Sequence, residues 1–320
     1  MTRNSTLVLT EPLPESGMRV LGARPDVRVL VLPAPTEAEL ARALPEADGV
    51  VMVMEQPALS ARLIGLAPRL RVACRFGAGY DNFDVAALTR RGIPLATTGD
   101  ANAGTVAEHA LYLMLALAKR GPALERAVKS GAWPRGFGGV ELRGRSCAVV
   151  GFGRIGQAVA RRAAAFEMTI IAVDPYVPGT QRLADALPQA DFVVLACALT
   201  PGTRGLIGAQ ALARMQPGAF LVNVARGPVV DEAALVAALE ANRLAGAGLD
   251  VLETEPPRPG HPLLARDDVV LTPHVGAFID TAYERMALAC AQAALAGLDG
   301  GLERASVVNP SVFKQKMPKP

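Results

Sequence analysis

The chain has 320 residues, which suggests about two domains at roughly 150 residues each. Hydrophobic residues make up 51% and charged residues 20%, a balance that excludes a largely disordered chain. The net charge is only +3 and no long Lys/Arg run occurs, so a nucleic-acid partner is not expected. Mean hydropathy is positive, at +0.27, which raises the question of a membrane span. The longest apolar helical stretch, 103–118, is interrupted by Glu108 and His109, and what remains is far short of the roughly 20 residues a span requires. The amino end lacks the apolar core of a signal peptide and soon meets Pro12 and Pro14. The expectation is a soluble cytoplasmic protein with no membrane partner. Cys74, Cys147, Cys197 and Cys290 form no CxxC pair, so neither a metal site nor a disulfide framework is expected. The first three sit in apolar runs and read as buried small hydrophobes. The histidines are few: His109, His261 and His274.

In chain order, short Val/Leu/Ile runs predict strands at 6–9, 27–32, 49–54, 70–76 and 94–97. Helical periodicity predicts helices at 37–44, 60–67 and 84–91 between them. This alternation predicts a parallel sheet covered on both faces, and the continuous apolar character of 27–32 fits such burial. A long apolar helix is predicted over 104–120, core or subunit interface rather than catalytic, and a Gly/Pro-rich loop over 131–139. A second series then begins. Strands are predicted at 147–150, 169–173, 192–197, 219–223, 246–249 and 269–271, with helices at 155–166, 209–215, 231–241 and 279–298. The tail, 314–320, is expected to fray.

Residues 147–150 lead into Gly151-Phe152-Gly153-Arg154-Ile155-Gly156, and a helical pattern follows at once. This is a dinucleotide-binding fingerprint with a strand before it and a helix after it. Gly151 permits the tight turn, Gly153 lets the backbone approach a pyrophosphate, and Gly156 lets helix and strand pack closely. Asp174 ends the next strand, 18 residues after the last glycine, where an acid accepts hydrogen bonds from a ribose. No arginine follows in Pro175-Tyr176-Val177-Pro178 to balance a 2′-phosphate, so NAD is expected over NADP.

Three later segments each follow an apolar strand and expose an ionisable group beside Gly or Pro. They hold Asn223-Val224-Ala225-Arg226-Gly227, Asp250-Val251-Leu252-Glu253-Thr254-Glu255-Pro256, and Thr272-Pro273-His274-Val275-Gly276. With the glycine motif and Arg75-Phe76-Gly77-Ala78-Gly79-Tyr80-Asp81-Asn82-Phe83-Asp84, they resemble the NAD-dependent D-2-hydroxyacid dehydrogenases, of the phosphoglycerate dehydrogenase-like kind without a regulatory domain. The resemblance runs from about residue 71 to about 277. It implies a catalytic set of Arg226, Glu255 and His274, and a substrate carboxylate held by the amides of Ala78 and Gly79 together with Arg226. It implies cofactor contacts from Gly151, Gly153, Arg154, Ile155, Gly156, Asp174, Val224, Ala225, Arg226, Asp250, His274, Gly276 and Ala277, with Asp250 on the nicotinamide carboxamide. It also implies a homodimer. The architecture expected is α/β: two doubly wound parallel-sheet domains, with a Rossmann NAD-binding domain at 102–287 inserted into a flavodoxin-like substrate domain at 1–101 and 288–320. The active site is expected in the cleft between them.

The chemistry of these side chains agrees with the implied roles. Arg226 offers a planar fork of donors to a 2-oxo acid. His274 is a natural proton donor near neutral pH, and Glu255 can orient its ring and favour the imidazolium. Spacing alone leaves Glu253 as a rival to Glu255, since residues two apart on an extended segment point the same way. His109 reads as structural and His261 as a solvent-exposed loop residue. Trp133 fits cleft lining and packing equally.

Three departures from the family pattern stand out. Where phosphoglycerate dehydrogenases usually carry arginine for the substrate phosphate, this chain reads Met52-Val53-Met54-Glu55-Gln56-Pro57. Ala196 and Ala198 stand where the family commonly has His and Pro, and the stretch 176–191 looks shortened. A small unphosphorylated 2-oxo acid such as glyoxylate or hydroxypyruvate is therefore the expected substrate. The alternatives are a phosphoglycerate or phosphite dehydrogenase on the same scaffold, and an NAD-sensing corepressor-like binding protein.

Overall fold

The computed structural model describes residues 4–99, 101–136 and 138–316. They fold as two compact units, Met1–Asn102 with Phe278–Pro320, and Ala103–Ala277. In the first unit, β1 (Ser5–Leu9), β2 (Val27–Val31), β3 (Gly49–Met52), β4 (Val72–Arg75) and β5 (Leu95–Ala96) form a parallel sheet in the order β2-β1-β3-β4-β5. β3 and β4 are buried along their whole length, which is why β3 reads as an unbroken apolar run and β4 as one up to Arg75. Helices Glu37–Ala43, Ala61–Gly65 and Val85–Arg90 start where Thr36, Ser60 and Asp84 accept a hydrogen bond from the first-turn amide three residues on.

In the second unit, β6 (Ser146–Val150), β7 (Thr169–Val173), β8 (Phe192–Leu195), β9 (Ala219–Asn223), β10 (Leu244–Leu249) and β11 (Val269–Leu271) are all parallel. Their order is β11-β10-β9-β8-β6-β7. The order reverses between β6 and β8, the switch point at which doubly wound sheets bind ligands. An isolated parallel bridge joins Val173 to Gln181. One face of the sheet packs on helices Ala103–Ala118 and Arg154–Ala165, and Phe192 and Phe220 stack 4.8 Å apart within that core. The other face packs on helices Ala209–Arg214 and Glu232–Glu240. Among the described residues no helix is long and apolar enough to cross a membrane, and no group of His, Cys, Asp and Glu is placed to hold a metal ion.

The structure corrects four expectations. A helix not expected from the sequence, Glu15–Gly22, forms in a Gly/Pro-rich stretch. Gly17 allows it to lie against helix Asp280–Asp299, for a Cβ there would sit 2.9 Å from the Ala287 carbonyl oxygen. The second unit ends at Ala277, ten residues before the expected boundary, because Asp280–Asp299 packs on the first sheet from its first turn. The ring of Tyr283 meets Phe76 edge-on at 5.0 Å, and Gly297 presses on Val72. The first boundary falls after Asn102 rather than after residue 101. The predicted long helix ends at Ala118. Arg120 turns left-handed (φ 53°), and a separate helix, Gly121–Lys129, follows. Residues 131–136, 138 and 139 carry no helix or strand; Phe137 of the predicted loop lies outside the described residues. Of the tail, the 3-10 turn Pro310–Lys316 includes 314–316, and residues 317–320 lie outside the described residues.

Candidate active site

The glycine turn connects β6 to helix Arg154–Ala165 at the switch point. Gly151 has φ 90°, and a Cβ there would lie 2.5 Å from the Cys197 backbone, so the turn can hug the end of β8 only with glycine. At Gly156 a Cβ would meet the Gly151 carbonyl oxygen at 2.0 Å. Gly153 differs: its φ is an ordinary −74° and nothing lies within 4 Å of a Cβ built on it. The chain itself does not require glycine there, whereas an approaching pyrophosphate would. The helix start at Gly153 carries no side-chain cap, and helix N-termini of this kind attract anions. Asp174 accepts hydrogen bonds from the Phe152 amide (2.9 Å) and the Tyr176 amide (2.9 Å), which ties the acid at the end of β7 to the turn. These residues fit a bound dinucleotide.

Beyond β9 the chain folds back on Asn223. Its side chain donates to the Arg226 carbonyl (2.9 Å) and accepts from the Ala225 amide (3.0 Å). Val224 and Ala225 are buried, and Arg226 emerges half-buried from this turn, its guanidinium donating to the Ala225 carbonyl. A Cβ on Gly227 would fall 1.9 Å from the Leu252 carbonyl, so this glycine lets the Arg226 backbone lie directly against the segment that carries Glu255.

Glu255 and His274 meet. Nδ1 of His274 is 2.8 Å from Glu255 Oε2, and Oε1 of the same carboxylate accepts from the Leu252 amide. Glu253 and Glu255 are both exposed, and it is the His274 contact to Glu255 that separates two acids that spacing could not. Burial pushes the Glu255 carboxyl upward, but the His274 hydrogen bond, the Leu252 amide and the positive charge of His274 and Arg226 together hold it below the usual glutamate value. His274 has φ 55°, a left-handed conformation uncommon for a residue with a side chain.

Asp250 holds that loop together. It is 4% exposed, and it accepts hydrogen bonds from the Thr272 hydroxyl (2.6 Å), the Val275 amide (2.9 Å) and the Gly276 amide (2.9 Å). Burial would raise its carboxyl; the hydrogen bonds from His109, Thr272, Val275 and Gly276 overcome this and lower it. Ala277 packs half-buried against the core that Ile155 also joins.

Ala78 and Gly79 belong to the first unit, in the loop after β4. Sequence reading passed over the residue that mounts this loop. Arg75 is buried, and its guanidinium donates to the carbonyls of Gly79, Met52 and Val53 and lies 3.9 Å from Glu55. An arginine closing an otherwise apolar strand was the available signal. His261, expected in solvent, is only 23% exposed at its side chain and lies 3.1 Å from Glu232; the partner is 29 residues away in sequence, so spacing gave no hint of it. Trp133 is 75% exposed.

Residues 111–276 match the family model described as D-isomer specific 2-hydroxyacid dehydrogenase, NAD binding domain. The chain belongs to this family. It is 37% identical to a D-3-phosphoglycerate dehydrogenase of Archaeoglobus fulgidus over 98% of its own length and 62% of the relative's. It thus spans about three-fifths of that longer relative. It is also 37% identical to the glyoxylate reductase of Pyrococcus furiosus, with 97% of each chain covered. Among solved structures, a protein of Thermus thermophilus superposes with a TM-score of 0.81 at 36% identity, covering 92% of this chain and 97% of that one. The NAD-binding region of the family model thus contains the glycine turn, Asp174, Arg226, Asp250, Glu255 and His274.

Proposed function

We propose that this dehydrogenase-family chain interconverts a short 2-oxo acid and its 2-hydroxy acid with NAD(H). The observation that carries the reading is the His274–Glu255 pair beside Arg226, on strand-end loops of the sheet that bears the glycine turn. The dinucleotide, when bound, supplies or accepts the hydride. The rest falls to the chain. Arg226 directs its fork of donors at the carboxylate and carbonyl of the 2-oxo acid. His274 gives its Nε2 proton to the oxygen that becomes the hydroxyl. Glu255, on Nδ1, orients the ring and stabilises its charged form. Asp174 favours a free ribose over a 2′-phosphate, and the backbone of Val224, Ala225, Gly276 and Ala277 lines the same side of the sheet. Asp250 acts on the carboxamide only through the capacity its internal hydrogen bonds leave.

The favoured substrates are glyoxylate and hydroxypyruvate. The segment 52–57 carries Glu55 and no arginine, and a relative matched end to end is a glyoxylate reductase. The longer relatives keep a phosphoglycerate reading in view. NADH oxidation across a panel with glyoxylate, hydroxypyruvate and 3-phosphohydroxypyruvate separates them. A kcat/KM for the phosphorylated acid above that of glyoxylate and hydroxypyruvate would overturn the substrate assignment. Tight NADH binding with no turnover of any member would favour the sensor reading. A homodimer is proposed on the same footing, supported by an apolar groove along helix Ala103–Ala118 in which Tyr112 and Phe166 are half-exposed. A monomer by light scattering would remove it.

A further inference from the structure

Every histidine of this chain lies beside a carboxylate. His274 is 2.8 Å from Glu255, His261 is 3.1 Å from Glu232, and His109 is 3.2 Å from Asp250. The reaction needs only the first. We propose that His109 and His261 are positioning residues, one for each of the two loops whose meeting creates the His274–Glu255 pair. This rests on the reading of His274 as the proton donor.

The loop that carries Glu255 is mostly exposed from 253 to 260, so buried apolar contacts do little to fix it. Glu232, in the first turn of helix Glu232–Glu240, fastens it at two points. One carboxylate oxygen accepts from the Glu253 amide and the other faces Nε2 of His261. Glu255 lies between these two points. His261 Nδ1 accepts from the Leu263 amide at 3.4 Å, so the neutral ring carries its proton on Nε2 and donates it to Glu232.

The loop that carries His274 is buttressed from helix Ala103–Ala118. Nε2 of His109 is 2.8 Å from the Thr272 hydroxyl. That hydroxyl spends its one proton on Asp250 at 2.6 Å, so it must accept from His109, and the ring again carries its proton on Nε2. Asp250 in turn receives the Val275 and Gly276 amides on its carboxylate and the His274 amide (2.8 Å) on its carbonyl. Thr272 and Asp250 thus transmit the position of the His109 ring to both sides of His274, whose left-handed backbone has to be held from outside. His274 pairs through Nδ1 instead, so its neutral form is the opposite tautomer.

With three histidines, long-range proton–nitrogen spectra of the ¹⁵N-histidine-labelled full-length protein can assign every ring. At a pH where the rings are neutral, His109 and His261 are expected as Nε2–H tautomers and His274 as Nδ1–H. An Nδ1–H form at His109 or His261 overturns that residue's half of the proposal. His109→Leu and His261→Leu should each lower kcat at least about tenfold, because a small misplacement of reacting groups is costly, while the Kd for NADH stays within about twofold. His109→Gln and His261→Gln, which return an N–H near the Nε2 position, should recover most of the loss. An unchanged kcat in the Leu variants overturns the proposal, as does a loss in the Gln variants equal to that in the Leu variants. Should a Leu variant not fold, a Gln variant below one-tenth of the native kcat overturns it. If the native protein reduces no 2-oxo acid, the functional reading fails, and the tautomers still decide whether the two rings hold the loops as described.

Discussion

Two doubly wound parallel sheets share this chain and the same local order about their first strand, yet their switch points are built in opposite ways. In the first unit β1 runs into Thr10, which is fully buried and whose hydroxyl accepts from the Val53 amide at 2.9 Å, tying the end of β1 to the segment after β3. In the second unit the equivalent residue after β6 is Gly151, and the following helix starts at a glycine with open space around it. The first unit's next helix instead starts at Pro14. One switch point is bridged by a side-chain hydrogen bond; at the other a glycine turn leads into the helix. Topology supplies a place for a ligand at both switch points, and the turn residues decide which of them is used.

That contrast can be broken at several points. The largest effect is expected at His274, where replacement by Ala should lower kcat by about 10²–10⁴-fold with NADH binding retained. Stopped-flow turnover together with a fluorescence titration checks both parts. Next is Gly156→Val. A side chain there collides with the Gly151 carbonyl oxygen, so NADH affinity should fall by about two orders of magnitude or the second unit should fail to fold, and calorimetry with titration separates the two results.

Asp174→Ala should narrow or reverse the preference for NAD over NADP, by about tenfold in the ratio of kcat/KM. An unchanged ratio would mean that the carboxylate serves only the Phe152 and Tyr176 amides. Thr10→Val sharpens the comparison from the other side: it should cost about 1–2 kcal/mol of stability through the orphaned Val53 amide and leave NADH binding unchanged.

A last effect is one of pH. The Asp250 carboxyl is lowered in the folded protein, so the stability it contributes is complete above the ordinary aspartate value and is lost as pH falls through the folded one. Asp250→Asn should therefore be less stable than the native chain at pH 7, by about 1–3 kcal/mol. The gap should narrow progressively as pH falls below about 4, and urea unfolding across that range would show whether it does.

The glycine turn was legible because its requirements are local: a tight turn, a close helix–strand contact and an acid at the next strand end are separated by few residues. Arg226, Glu255 and His274 were legible as strand-end groups, and family resemblance supplied their grouping. Other features depended on distant partners. The helix Glu15–Gly22 carries two glycines and follows two prolines, a poor helix by propensity. It forms because Gly17 fits against Ala287, some 270 residues away. His261 looked like a loop residue because Glu232 belongs to another element, and Arg75 looked like a strand end because the carbonyls it gathers come from two other segments.

Sequence by itself determined the class of the fold, the presence of a dinucleotide turn and the short list of residues able to exchange a proton, since all three are written in local spacing and residue chemistry. Only the tertiary structure decided that Glu255 rather than Glu253 faces His274, that Asp250 is a buried organiser of the His274 loop, and that the second unit ends at Ala277. These outcomes depend on hydrogen bonds and packing between segments far apart in the chain, which hydrophobic period and turn propensity do not encode.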